Sequence, residues 1–242
     1  MFSASILTCA LLPIMGSQGG NSSFGLTREI QRGNYENKGK FDTDFETYED
    51  ATKAADEHNL KLSEEGNTLL KNIDNALPMS LDSKLSVFGV MSDNLVGGGE
   101  DGVADSLEYA GFTVNPTLKR FYANDESDIG KENYTFNGSV SQSLALYNDA
   151  AVLVISRTGG EGADLSVNTG ETVDADDTHK DLTTIDGKKY KHYLMLTDSE
   201  EALLEYIEAR FDTVHVVINT SHIIEMGDLQ DDPKVKSILW IG

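Results

Sequence analysis

Ala151, Val152, Leu153, Val154 and Ile155 form an unbroken apolar run rich in β-branched side chains, with no polar residue alternating among them. A strand of that pattern is covered on both faces, as in the middle of an α/β sheet. The run empties into residues 156–165, SRTGGEGADL, where Gly159, Gly160 and Gly162 let the backbone turn sharply around Glu161 and Asp164. Ligands in open α/β sheets bind beyond the carboxyl ends of the strands, and this loop leaves such an end. A carboxylate in a glycine turn is either simply solvated or placed for chemistry, and the loop alone does not separate the two.

The pattern on either side predicts an alternation of helices and strands. Ala51, Ala54, Ala55, His58, Leu62, Leu69 and Leu70 recur at three- and four-residue spacing, which predicts an amphipathic helix from Tyr48, interrupted at Gly66. Residues 85–91 (LSVFGVM) predict a short strand, and residues 92–102 (SDNLVGGGEDG) a glycine loop that leads into a helix carrying Val103, Leu107 and Ala110. Residues 112–115 predict a further strand, residues 118–122 a short helical or extended piece, and residues 124–138 a loop. Residues 166–189, rich in Asp and Thr, predict a solvated surface excursion. Thr197, Asp198, Ser199 and Glu200 make a capping box ahead of Leu203, Leu204, Ile207 and Phe211, the start of a helix with one apolar face. Strands follow at residues 213–219 and 235–241, and His215, set between valines, is expected as a hydrogen-bonded core histidine. This order predicts an α/β fold, a mostly parallel sheet with helices on both faces, with the sheet incomplete at the C-terminus.

Charge narrows the partners. The 242 residues hold 19 Lys+Arg against 41 Asp+Glu, a formal net charge of -22, which repels nucleic-acid phosphates and anionic membrane surfaces. A neutral substrate such as a sugar is compatible with that surface. The glycine loop at residues 92–102 has neither the G-x-G-x-x-G spacing nor a Gly-Lys-Ser/Thr, and Glu100 and Asp101 would repel a pyrophosphate, so no nucleotide cofactor is expected. Asp174, Asp176 and Asp177 lack the alternating ligands, central glycine and terminal glutamate of a calcium loop, and no metal is expected. Cys9 is the sole cysteine, too few for a disulfide framework.

Residues 5–15 (SILTCALLPIM) are apolar and run into a Gly/Ser/Asn stretch, so residues 1–23 read as a signal- or anchor-like segment with its linker. They would place the protein outside the cell or on a membrane; without a targeting role for residues 1–16 it would be cytoplasmic. Residues 24–47 are polar and aperiodic and read as an irregular lead-in to a domain over residues 48–242.

Six motifs in order resemble the α/β sandwich domain of glycoside hydrolase family 3, the β-glucosidases, β-xylosidases and related exo-acting enzymes. They are EEGNTLLKN at residues 64–72 with Ala76-Leu77-Pro78, LSVFG at 85–89, ISRTGGEGAD at 155–164, LMLT at 194–197, VVIN at 216–219 with Met226 beyond it, and ILWIG at 238–242. The arrangement resembles a bacterial subgroup in which this domain precedes the (β/α)8 barrel.

The resemblance implies that Glu161 is the acid/base of a retaining glycosidase acting on a β-linked glycoside. It places Asp164 as a loop-orienting or substrate-binding residue and Arg157 as a structural or substrate-side partner. Such enzymes need two carboxyl groups about 5–5.5 Å apart. The nucleophile belongs to the barrel, whose Ser-Asp-Trp-like motif does not occur in these residues, so the chain alone is expected to be inactive. The family commonly has Asp-Arg where this chain has Asp164-Leu165, which puts any contact made by that arginine in doubt. The reading of a different class is a non-catalytic carbohydrate-binding or structural module.

Overall fold

The computed structural model describes residues 45–95, 101–159, 166–173 and 182–241. Residues 1–23, residues 96–100 of the glycine-rich stretch, Glu161, Asp164 and residues 174–177 lie outside them.

Strand β4 (Ala150–Ser156) is buried at every position and sits inside a six-stranded sheet. Its neighbours are β2 (Lys84–Phe88) on one side and β8 (Val214–Asn219) on the other, both parallel to it. Beyond β2 lies the two-residue β3 (Thr113–Val114), also parallel; beyond β8 come β9 (Val235–Trp240), parallel, and β1 (Thr68–Asn72), antiparallel, at the edge. The order is therefore β1-β9-β8-β4-β2-β3.

Alternation along the strands feeds two separate cores. Val152 and Val154 point to one face with Leu85, Val87, Val217 and Leu239, where α2 (Val103–Tyr109) covers them with Val103, Ala104 and Leu107. Leu153 and Ile155 point to the other with Phe88, Val216, Ile218 and Ile238. That face is covered by α3 (Pro116–Tyr122), α4 (Gly138–Leu144), α5 (Asp198–Glu208) and α6 (Gly227–Asp231). The prediction of a mostly parallel sheet with helices on both faces describes this architecture.

Local chemistry explains where the helices begin. Asn115 and Asn137 cap α3 and α4 with side-chain oxygens, each accepting two backbone N–H groups that have no partner inside the helix. Thr197 and Glu200 cap α5 as the capping box predicts, and Leu203, Leu204 and Ile207 are buried along one side.

Two predictions are corrected. The first helix, α1 (Tyr48–Gly66), stops short of Leu69 and Leu70, which lie on β1 instead. Asn67 adopts an extended conformation, and Leu69 pairs with Leu239 across the β1/β9 ladder, so sheet pairing overrides the helical spacing. The helix buries none of its residues; His58 is exposed, not on a core face.

The second concerns residues 166–189, which lie at the surface as expected but whose described parts carry strands the composition does not announce: β5 (Asn168–Thr172), β6 (Thr183–Ile185) and β7 (Lys188–His192) make an antiparallel sheet of order β5-β7-β6. Asp186 and Gly187, at φ 50° and 78°, are the two central residues of the β6/β7 turn, and Asp-Gly is the sequence signal for such a hairpin. Lys191 fastens this small sheet to α5 through Asp198 and Glu201, each at 2.8 Å.

Candidate functional site

The parallel strands β2, β4 and β8 end at Phe88, Ser156 and Asn219, and three loops meet beyond them. At the end of β2 the chain turns at Gly89, whose φ is +113°. A Cβ there would lie inside the van der Waals envelope of the Val154 carbonyl oxygen, so the close approach of the loop to β4 requires glycine.

Arg157 follows β4 directly and is 4% exposed. A guanidinium has five N–H donors, and here each has an acceptor. Nη1 donates to the Ser156 carbonyl at 2.9 Å and to Glu200 Oε1; Nη2 donates to the Met195 carbonyl at 2.9 Å and to Glu200 Oε2 at 2.6 Å; Nε donates to the Tyr193 carbonyl at 3.5 Å. Burial is the largest single influence and works against the charge of Arg157, but the hydrogen bonds to Glu200 and the negative charge around it together hold the guanidinium pKa above its ordinary value. Glu200, 1% exposed, also accepts the Thr197 N–H at 2.8 Å. One side chain thus ties the end of β4, the 193–195 turn and the first turn of α5 together. All five N–H groups of Arg157 are engaged within the domain.

The loop that should carry the chemistry is framed by Tyr193. Its hydroxyl donates to the Thr158 carbonyl and its backbone N–H to the Val167 carbonyl, both at 3.5 Å. Thr158 precedes residues 160–165 and Val167 follows them, so both ends of the segment holding Glu161 and Asp164 are held beside one aromatic residue. Gly159 is the last described residue before Glu161, and it is exposed at the carboxyl end of the central strand.

The third loop, residues 123–137, crosses from α3 to α4 over the same end of the sheet. Its Gly130 carbonyl accepts from Thr197 Oγ1 at 2.7 Å and Ser199 Oγ at 3.0 Å, and the Glu132 N–H donates to Ser199 Oγ at 2.9 Å. Glu132 itself is 5% exposed, and its Oε2 accepts the Val90 N–H at 2.7 Å. No sequence signal marks this residue, which sits among polar neighbours in a stretch without periodicity. Tyr193 was equally silent, whereas Glu200 was legible as a helix cap and not as the counter-ion of Arg157.

His215 is a core residue, as expected. Nδ1 lies 2.7 Å from Ser237 Oγ on the neighbouring strand, and burial lowers its pKa to about 4. Among the described residues no group of three or more His, Cys, Asp or Glu side chains is placed to hold a metal ion, and no helix is long and apolar enough to cross a membrane.

The mostly parallel sheet with helices on both faces places the chain among α/β sandwich domains, and comparison with known proteins gives the family. Residues 67–242 match the glycosyl hydrolase family 3 C-terminal domain, and the chain belongs to that family. It is 27% identical over 202 residues to beta-glucosidase A of Butyrivibrio fibrisolvens, covering 74% of this chain and 24% of that protein. It is 24% identical over 207 residues to a beta-glucosidase of Ruminococcus albus, covering 75% and 19%. In fold it resembles the crystal structure of a beta-glucosidase from Paenibacillus barengoltzii, with a TM-score of 0.52 at 24% identity over 73% of this chain and 20% of that one. A beta-glucosidase from Listeria innocua in complex with isofagomine gives a TM-score of 0.50 at 14% identity, over 82% and 25%. The chain therefore spans a quarter or less of the length of these relatives.

Proposed function

We propose that this chain is the sandwich-domain portion of a retaining, exo-acting β-glycosidase, of β-glucosidase or β-xylosidase type, and that Glu161 is its general acid/base. The observation that carries the reading is the family match over residues 67–242 together with the ISRTGGEGAD motif, whose first two residues end the central strand β4. In the first step the Glu161 carboxylic acid protonates the glycosidic oxygen as the C1–O bond breaks and the nucleophile's carboxylate bonds to C1. In the second, the Glu161 carboxylate takes a proton from water as that water displaces the nucleophile, regenerating both groups.

The nucleophile is assigned to a (β/α)8 barrel outside these 242 residues, and the pocket forms where the two domains meet. The 242 residues by themselves are inactive on this reading. Asp164 orients the loop or meets the substrate, while Arg157 acts from beneath, fixing the strand end from which the loop departs.

Kinetics of Glu161→Ala in the enzyme containing its barrel test the assignment. With an aryl β-glucoside whose leaving group needs no protonation, the first step persists and the second stalls; added azide then replaces water and restores turnover, giving a β-glycosyl azide. Turnover unchanged in Glu161→Ala and Glu161→Gln sinks the assignment.

A further inference from the structure

At the carboxyl end of the sheet three ionisable side chains are buried together, and only two of them cancel. Arg157 and Glu200 neutralise each other through their paired hydrogen bonds. Glu132 is the third, and among the described residues Arg157 is the one cation that acts on it appreciably. From α5 it faces Glu200, from the end of β4 Arg157, from its own loop Asp125, and from the end of α3 Tyr122.

We propose that Glu132 is a positioning residue that works as a carboxylic acid: uncharged, it clamps the 123–137 loop between the end of β2 and the first turn of α5, and loss of its proton loosens that clamp beside the root of the 160–165 loop. The geometry carries this. The side chain accepts the Val90 N–H at 2.7 Å, while its own backbone N–H donates to Ser199 and the Gly130 carbonyl two residues earlier accepts from Thr197 and Ser199. The same short segment therefore bridges the end of β2 and the start of α5. An added negative charge would be buried against the carboxylates of Glu200 and Asp125, with Arg157 already committed to Glu200.

The acid–base balance agrees. Burial raises the Glu132 pKa, the Val90 N–H lowers it, Glu200 and Asp125 raise it, and Arg157 lowers it, with the outcome at about 8. Tyr122 is fully enclosed and its hydroxyl is pushed well above its ordinary value by that burial, so it stays neutral while Glu132 titrates.

The bearing of this clamp on catalysis rests on the reading of Glu161 as acid/base, but its test does not pass through Glu161. The full 242-residue chain, 15N-labelled, is titrated from pH 6 to 9.5 as wild type, Glu132→Gln and Glu132→Ala, following the Val90 amide resonance and the exchange protection of the Glu132 amide. In the wild type the Val90 resonance is expected to move with a midpoint near 8, and protection at Glu132 to fall roughly tenfold through the same transition. Glu132→Gln, which keeps an uncharged acceptor, should hold the low-pH values throughout. Glu132→Ala should show the loosened state at every pH, and if it does not fold, the wild-type and Gln titrations decide alone.

A flat Val90 profile, a midpoint in the ordinary carboxylate range, the same titration in Glu132→Gln, or a Val90 transition without loss of protection at Glu132 overturns the proposal. A Glu161→Gln enzyme with full turnover would refute the acid/base reading and leave the clamp standing.

Discussion

Arg157 and Glu200 lie 43 residues apart in sequence and meet as a two-point fork, Nη2 to Oε2 at 2.6 Å with Nη1 on Oε1, both side chains almost fully enclosed. A buried pair is costly to assemble but costlier to halve, because the survivor keeps its charge without a partner. Glu200→Ala should therefore destabilise the chain by about 3–5 kcal/mol in urea unfolding. Arg157→Lys replaces five donors by three, so at least two of the five acceptors go bare, at about 1–3 kcal/mol each. A loss below about 1 kcal/mol in both variants would show that the fork is not what holds the strand end to α5.

Gly89 makes a second, independent demand on the same end of the sheet. Its positive φ and its contact with the Val154 carbonyl leave no room for a methyl group. Gly89→Ala should cost about 3 kcal/mol, combining backbone strain with overpacking. Gly66, with open space around it, provides the control. Gly66→Ala should be neutral or stabilising in the same unfolding measurement.

The sequence carried the sheet and the helices that cover it through two kinds of signal. The uniform apolar run of β4 marked a central strand, and the box from Thr197 to Glu200 marked the start of α5, because in each case the local pattern and the tertiary environment agree. The β1 strand was misread where they conflict: Leu69 keeps helical spacing with Leu62, but its partner is Leu239, and no local rule sees 170 residues ahead. The turn at Asp186-Gly187 carries its own dipeptide signal, but residues 183–189 (TTIDGKK) lack the apolar/polar alternation that marks a half-buried strand. At the site, the motif around Glu161 was recognisable as a string, whereas the Arg157–Glu200 fork and the burial of Glu132 arise only when three loops converge.

Stability should vary with pH in a way that separates His215 from the buried acids. His215 has a folded pKa of about 4 against an ordinary value of 6.5, so between those limits the unfolded chain binds more protons. Its contribution is fully present above pH 6.5 and is lost as pH falls toward 4, amounting to at most about 3 kcal/mol. Glu132, at about 8, and Glu208, at about 7, have the opposite sign. For each, the folded state holds its proton longer than the unfolded one, so stability declines from about pH 4.5 up to the folded value. The three partly offset one another up to pH 6.5, and between 7 and 8 Glu132 dominates. Urea unfolding should thus show a decline from pH 7 to 8 that disappears in Glu132→Gln, and, with two glutamates set against one histidine, a gain on acidification from pH 6.5 to about 4.5 that is steeper in His215→Gln. A wild-type decline that persists in Glu132→Gln assigns it to another group.

Stability and turnover should separate at the two ends of the 157–161 stretch. Arg157 ties the end of β4, the 193–195 turn and α5 together, so its loss destabilises the fold. Glu161 is proposed as a proton-transfer group for a pocket shared with another domain, a role that asks nothing of it in folding. Glu161→Gln should shift the unfolding free energy of the 242-residue chain by about 0.5 kcal/mol or less. In the barrel-containing enzyme the same change should lower kcat by roughly 10²–10⁴ for a substrate whose leaving group needs protonation. The two measurements bear on different claims. A stability loss as large as that of Glu200→Ala would make Glu161 a structural residue of the loop, and an unaltered kcat would move the acid/base role to another side chain.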